Sequence, residues 1–184
     1  MGWWHLPVQL FPIANNNPYE NAELFGVVRD PYDRMVSEFY YICTLKVMSW
    51  RPDQCDRSRL SDVNYMNEWL RTKIRNRETD SGRSYLIDNG HFTPQYDYIF
   101  GPNQVRMLDY VLFMDRDNFN DDFQTLMNAY QLPNVQLKKL NALGATARSA
   151  THFDTSHLDT QTIQWIHNMY PDDFAIGNYA KKTI

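Results

Sequence analysis

The stretch FGVVRDPYDRMVSEFYY, residues 25–41, constrains the fold of this chain more than any other. Leu24 to Val28 is an apolar run of strand length, and its continuous character suits a central strand covered on both faces. Asp30 then stands where an N-cap is wanted and Pro31 at the first helical position, where a missing N–H is no loss. Met35, Val36, Phe39, Ile42, Cys43 and Val47 recur at helical spacing, which predicts a helix to about residue 47. A strand that ends at Arg29 and turns at once into a helix sets a guanidinium beside unpaired helix N–H groups and their partial positive charge. With the hydroxyl of Ser37, that arrangement could grip a phosphate. Alternatively Arg29 pairs with Asp30, Asp33 or a nearby glutamate, and Ser37 faces a neighbouring backbone. Spacing alone leaves both readings open.

The rest of the chain alternates elements of the two kinds without repeats or low-complexity tracts. NNNPYENAE is a polar lead into the first strand. A polar Arg- and Asp-rich segment follows the first helix. Beyond it come a helix near Val63 to Arg75, the segment HFTPQYDYIF, a strand YVLFM at 110–114 and a helix near Asn120 to Tyr130. Lys138 to Thr155 reads as a long loop, and HLDTQTIQWIHNMY as a final helix opened by Ser156 and Asp159 in capping-box spacing. The order is that of an α/β fold, with no linker dividing residues 1–184 into two domains.

At 184 residues and 43% hydrophobic, the chain can bury one core. A formal charge of −4 gives no global attraction to nucleic acid or anionic membrane, so an anion has to be held locally by Arg and Lys. No apolar run approaches the ~20 residues of a spanning helix. MGWWHLPVQLFPIA lacks the basic start of a signal peptide, and Leu6 breaks the myristoylation pattern, so the chain reads as soluble. Cys43 and Cys55 are read as two buried thiols in preference to a bridge across a short loop, the bridge requiring an oxidising compartment. His152, Asp154 and His157 have metal-like spacing but sit where Ser and Asp cap a helix, and no metal is expected. RTKIRNR, residues 71–77, reads as a solvated helix end whose cations complement the dipole, with attraction to a sulfated or uronic polysaccharide as the alternative.

VVRDPYDRMVSEFYY resembles the phosphate-binding segment of sulfotransferases, in particular that of the Golgi carbohydrate sulfotransferases. Other stretches fall in that family's order from about residue 3 to 179. GWWHLPVQLFP is similar to its upstream histidine segment, and HFTPQYDYIF to its His-aromatic-x-Pro-Gln stretch. VLFMDRDNFNDDFQTLMNAYQLP resembles the strand and helix around Arg-Phe-Glu-Asn-Leu, and IHNMYPDDFAIGNY the closing Tyr-x-x-Asp-Phe signature. The resemblance implies a three-layer, P-loop-like α/β fold around a mainly parallel sheet. It also implies transfer of a sulfuryl group from 3′-phosphoadenosine 5′-phosphosulfate to a carbohydrate hydroxyl, without a metal, in the Golgi lumen or at its membrane. Arg29 and Ser37 match the pair that binds the donor's 3′-phosphate in the family, and Arg34 matches a recurrent arginine beside them. His5 matches a histidine that is the general base in some relatives, a role an imidazole suits because it is largely neutral at pH 7. A packed histidine beside Trp3 and Trp4 is the alternative for His5. His91 and Gln95 match a stretch near the donor and acceptor cleft, and Lys138, Lys139 and Arg148 lie in a loop that in relatives often passes near the nucleotide.

The sequence also departs from the family pattern. Asp115 and Asp117 replace the arginine and the glutamate of Arg-Phe-Glu-Asn-Leu, and Gly177-Asn178 replaces an aromatic-Gly pair. The strand and Lys/Ser/Thr loop that wrap the 5′-phosphosulfate in relatives have no counterpart here, and LGATARS at 143–149 follows no strand that would present it. The expectation is therefore a partial sulfotransferase domain lacking its N-terminal strand and loop, either a fragment or a natural short form. Losing that loop would cost several powers of ten in rate. A non-catalytic protein holding a phosphonucleotide or sulfated glycan on the same scaffold is the alternative.

Overall fold

The computed structural model describes residues 21–44, 55–79, 90–133 and 153–184, together with Pro7 and Tyr19. The expected strand, turn and helix are present as β1 (Phe25–Val28) and α1 (Pro31–Thr44). Asp30 caps α1, its Oδ1 accepting from the N–H groups of Tyr32 at 2.7 Å and Asp33 at 3.2 Å. A short 3₁₀ turn at Arg57–Arg59 leads into α2 (Val63–Thr79). Then follow α3 (Tyr96–Ile99), β2 (Tyr110–Phe113), α4 (Phe119–Ala129), a 3₁₀ turn at Thr155–His157, α5 (Thr160–Met169) and α6 (Pro171–Gly177).

Among the described residues β1 and β2 form a parallel pair in the register Phe25 to Tyr110 through Val28 to Phe113. Parallel strands need a crossover, and α1, α2 and α3 lie in it. Val28 packs with Ile99, Leu108 and Ile176 on one face of the pair, while Leu112 packs with Leu126 and Met127 of α4 on the other. The expectation of a strand covered on both faces does not hold along β1: Phe25 is 49% exposed and Val27 41%, because the helix on their side, α4, packs over β2 instead. Gly26 turns to the covered face, where a Cβ would stand 2.6 Å from Leu108 Cδ1.

The largest core lies beside this sheet. Met35, Val36, Phe39 and Ile42 of α1 meet Met66, Trp69, Leu70 and Ile74 of α2, Ile163 and Ile166 of α5, and Phe174 of α6. Cys43 and Cys55 are not two thiols. They form a disulfide with their Cα atoms 5.5 Å apart, which ties the end of α1 to the start of the next described segment. Closing a loop of this size contributes about 3 kcal/mol where the bond is formed.

Two further expectations change at the C-terminal end. Asp159 alone caps α5, accepting from Thr162 N at 2.7 Å, while Ser156 belongs to the separate turn capped by Asp154. The final helix expected over 157–170 is α5, shortened to Thr160–Met169, and a further helix that was not expected, α6, starts afresh with Pro171 at its first position. Asp154 and His157 of the metal-like trio bond to each other at 3.0 Å as partners in that cap, and His152 lies outside the described residues. The same holds for the loop through residue 152 with Lys138, Lys139 and Arg148.

Candidate functional site

Ligands in open parallel sheets bind beyond the carboxyl ends of the strands. At that end of β1 stand Arg29 and Asp30, and beyond β2 stand Met114 to Asp117. Among the described residues no group pairs with the Arg29 guanidinium, so the ion-pair reading of Arg29 finds no partner there. Ser37 lies two turns into α1, one turn beyond Asp33 on the side away from Phe39, and its hydroxyl has no described partner either.

The helix start itself is less open than its sequence implied. Asp30 occupies the N–H groups of Tyr32 and Asp33, the Arg34 N–H donates to Asp30 O at 2.9 Å, and Pro31 has none to offer. Burial pushes the Asp30 carboxyl up, as do the nearby carboxylates of Asp33 and Asp115, against the two N–H groups it accepts from. An anion here would rest on the Arg29 side chain and the Ser37 hydroxyl more than on the helix terminus.

Arg34 is turned inward. Its Nη2 donates to the carbonyls of His91 at 2.8 Å and Thr93 at 2.6 Å, and its Nη1 faces the buried carboxylate of Asp173 at 3.6 Å. Gln95 is buried, and its amide serves the backbone of Arg29. Oε1 accepts from Arg29 N at 3.0 Å and Nε2 donates to Arg29 O at 2.9 Å. His91 Nδ1 meets Glu38 Oε2 at 2.9 Å, next to Ser37 in α1, and its ring lies 5.1 Å from that of Tyr41. His5 lies outside the described residues. Arg29, Arg34, Ser37, His91 and Gln95 thus come from β1, α1 and the segment that crosses their junction.

The closing signature explains why that segment sits there. The Tyr170 hydroxyl donates to Phe92 O at 3.0 Å. Asp173 accepts from Gln95 N at 2.9 Å and Tyr96 N at 2.8 Å, capping α3 from another element. Phe174 packs edge-on against Tyr32, with ring centroids 5.0 Å apart. Sequence reasoning found the signature but gave Asp173 no role; an acidic residue in the first turn of a helix is ordinary, and nothing in the sequence marked this one as buried. The departures in this region are also accommodated. Asp115 accepts from the Tyr179 hydroxyl at 2.8 Å, and Tyr179 folds back over Gly177, where a Cβ would lie 1.9 Å from the ring.

The family model of the sulfotransferase family matches residues 8–180. The chain belongs to the sulfotransferase family. No curated protein and no solved structure matches it significantly. The parallel pair with its crossover helices fits a sulfotransferase-type α/β fold, and membership supports sulfuryl transfer as the general activity. Among the described residues of this sulfotransferase no group of three or more His, Cys, Asp or Glu could hold a metal ion, and no described helix is long and apolar enough to cross a membrane.

The first turn of α1 is also fixed from the C-terminal side. The Tyr32 hydroxyl oxygen accepts from Lys182 N at 2.9 Å and is hydrogen-bonded to His167 Nε2. Burial and the charge of Lys181 push the His167 pKa below its ordinary 6.5. The folded state therefore takes up this proton less readily than the unfolded chain. Its contribution to stability is full above about 6.5 and is lost as pH falls through the depressed value. Between pH 7 and 5 the melting temperature should fall more steeply for the wild type than for His167→Gln, whose amide oxygen can accept the Tyr32 bond without titrating. Parallel profiles would show that this contact does not set the pH response.

Proposed function

We propose that this sulfotransferase takes its sulfuryl group from 3′-phosphoadenosine 5′-phosphosulfate and passes it to a carbohydrate hydroxyl. The observation that carries the donor assignment is Arg29, a guanidinium at the carboxyl end of a parallel strand, without a described partner, on a turn held from both sides. Five N–H donors and the Ser37 hydroxyl suit the oxygens of a phosphate monoester. The donor brings an activated sulfuryl group with a phosphate as leaving group. The acceptor oxygen forms the new S–O bond, the bridging S–O bond breaks, and the adenosine bisphosphate leaves. Arg29 and Ser37 position the nucleotide through its 3′-phosphate, His5 takes the proton of the acceptor hydroxyl, and His91 lies on the acceptor side. Arg34 holds the 91–93 backbone.

The carbohydrate acceptor rests on the likeness of the 27–41, 91–100 and 166–179 segments to Golgi carbohydrate sulfotransferases. A Golgi lumen location is supported by the Cys43–Cys55 disulfide, which forms and persists in oxidising compartments.

Calorimetric titration with 3′-phosphoadenosine 5′-phosphate tests the donor site. Arg29→Ala and Ser37→Ala should each weaken binding by about tenfold or more, since hydrogen bonds to a charged group contribute about 1.5–3 kcal/mol. A folded wild type that does not bind the nucleotide would overturn this reading.

A further inference from the structure

We propose that Gln95, itself held by Asp173, is the residue that positions Arg29 for its ligand. The inference rests on the reading of Arg29 as the 3′-phosphate contact. The ladder between the two strands reaches Val28, whose carbonyl accepts from Met114 N at 2.8 Å. Successive strand residues direct their backbone groups to opposite edges, so Arg29 turns its N–H and C=O away from β2. Gln95 meets both at 3.0 and 2.9 Å and supplies one donor and one acceptor, as a neighbouring strand would. The last extended residue before the turn is thereby fixed, and with it the point from which the guanidinium leaves the backbone.

Gln95 can do this because its own backbone is fixed. Asp173, with a side chain 0% exposed, accepts its N–H, and Arg34 draws the two preceding carbonyls of His91 and Thr93 inward. A buried carboxylate is costly unless it is hydrogen-bonded and paired. Here the two backbone N–H groups and the facing guanidinium meet that requirement. The signature Asp thus acts on the phosphate contact through two hydrogen-bonded steps, 173 to 95 and 95 to 29, without touching a ligand.

The test is a double-mutant cycle on the same chain, with 3′-phosphoadenosine 5′-phosphate as titrant and the melting temperature recorded for each variant. Gln95→Met keeps the volume and removes both bonds; Gln95→Glu keeps an acceptor for Arg29 N–H and removes the donor to its carbonyl. Gln95→Met should weaken binding about tenfold in the wild-type background and have no further effect in Arg29→Ala. Gln95→Glu, available should the methionine variant fail to fold, should be non-additive with Arg29→Ala in the same way. An equal penalty in both backgrounds would mean that Gln95 acts on the fold at large, and wild-type affinity in the Gln95 variants would also overturn the proposal. If Arg29→Ala itself binds as tightly as wild type, the donor-site reading falls first, and the positioning role falls with it.

Discussion

Arg34→Met should lower the unfolding free energy by about 3–5 kcal/mol, the loss expected when one partner of a buried ion pair is removed. The Arg34 side chain is 12% exposed and Asp173 fully covered, so water replaces little of what is lost. The carbonyls of His91 and Thr93 lose their donor, and the carboxylate loses its facing cation while keeping the N–H groups of residues 95 and 96. The pH dependence should change as well. Burial already pushes the Asp173 carboxyl above its ordinary 3.8, with Arg34 pulling it back. Without the guanidinium the folded-state value rises further. A raised carboxyl contributes stability below its unfolded value, and that contribution is lost as pH rises through the folded one, so the Arg34→Met penalty should be larger at pH 7 than at pH 5. Urea denaturation at the two pH values measures both effects. Adding Asp173→Asn should recover part of the loss by removing the charge. A penalty under 1 kcal/mol, as is typical of surface pairs, would contradict the buried network.

A second large effect is expected at Phe39, 0% exposed where α1 crosses α2. Its ring meets Trp69 edge-on with centroids 5.4 Å apart and Tyr65 at 6.1 Å. Phe39→Ala should cost about 3–5 kcal/mol, part lost transfer energy and part cavity. Phe39→Leu retains most of the volume and should cost about 1.5 kcal/mol or less. Equal midpoints for the two variants in urea would mean that retained volume does not offset the loss of the ring, and that its aromatic contacts carry the effect. Because α1 also carries Ser37, nucleotide binding measured on the folded Phe39→Leu variant separates stability from site geometry.

How much of this was legible depends on how far apart the interacting residues are. Asp30, Pro31 and the helical spacing that follows state the β1–α1 turn in adjacent residues, and the structure keeps it. The helix expected over 157–170 stops just short of Pro171, and the 7 residues of α6 beyond it are too few for apolar periodicity to show. Cys43 and Cys55 were legible as a pair but not as a bond, since the spacing fits two thiols equally well. The exposure of Phe25 and Val27 was hidden because strand composition does not say which face a later helix will cover. In the candidate site, motif order singled out Arg29, Arg34, Ser37, His91 and Gln95. What Arg34 and Gln95 touch could not be read, because their partners lie 57 and 66 positions away along the chain.

Those separations also fix an order of events during synthesis. The Gln95–Arg29 contact spans 66 residues and the Asp173–Gln95 contact a further 78, so the turn that presents Arg29 gains its full support only after the last described helix has been made. Until then β1 and α1 emerge with an unsupported junction. Long-range contacts of this kind slow folding and leave apolar surface open to wrong partners in the interval. Cutting the chain before residue 173 would therefore remove, from its far end, a restraint on the phosphate-contact turn near its beginning.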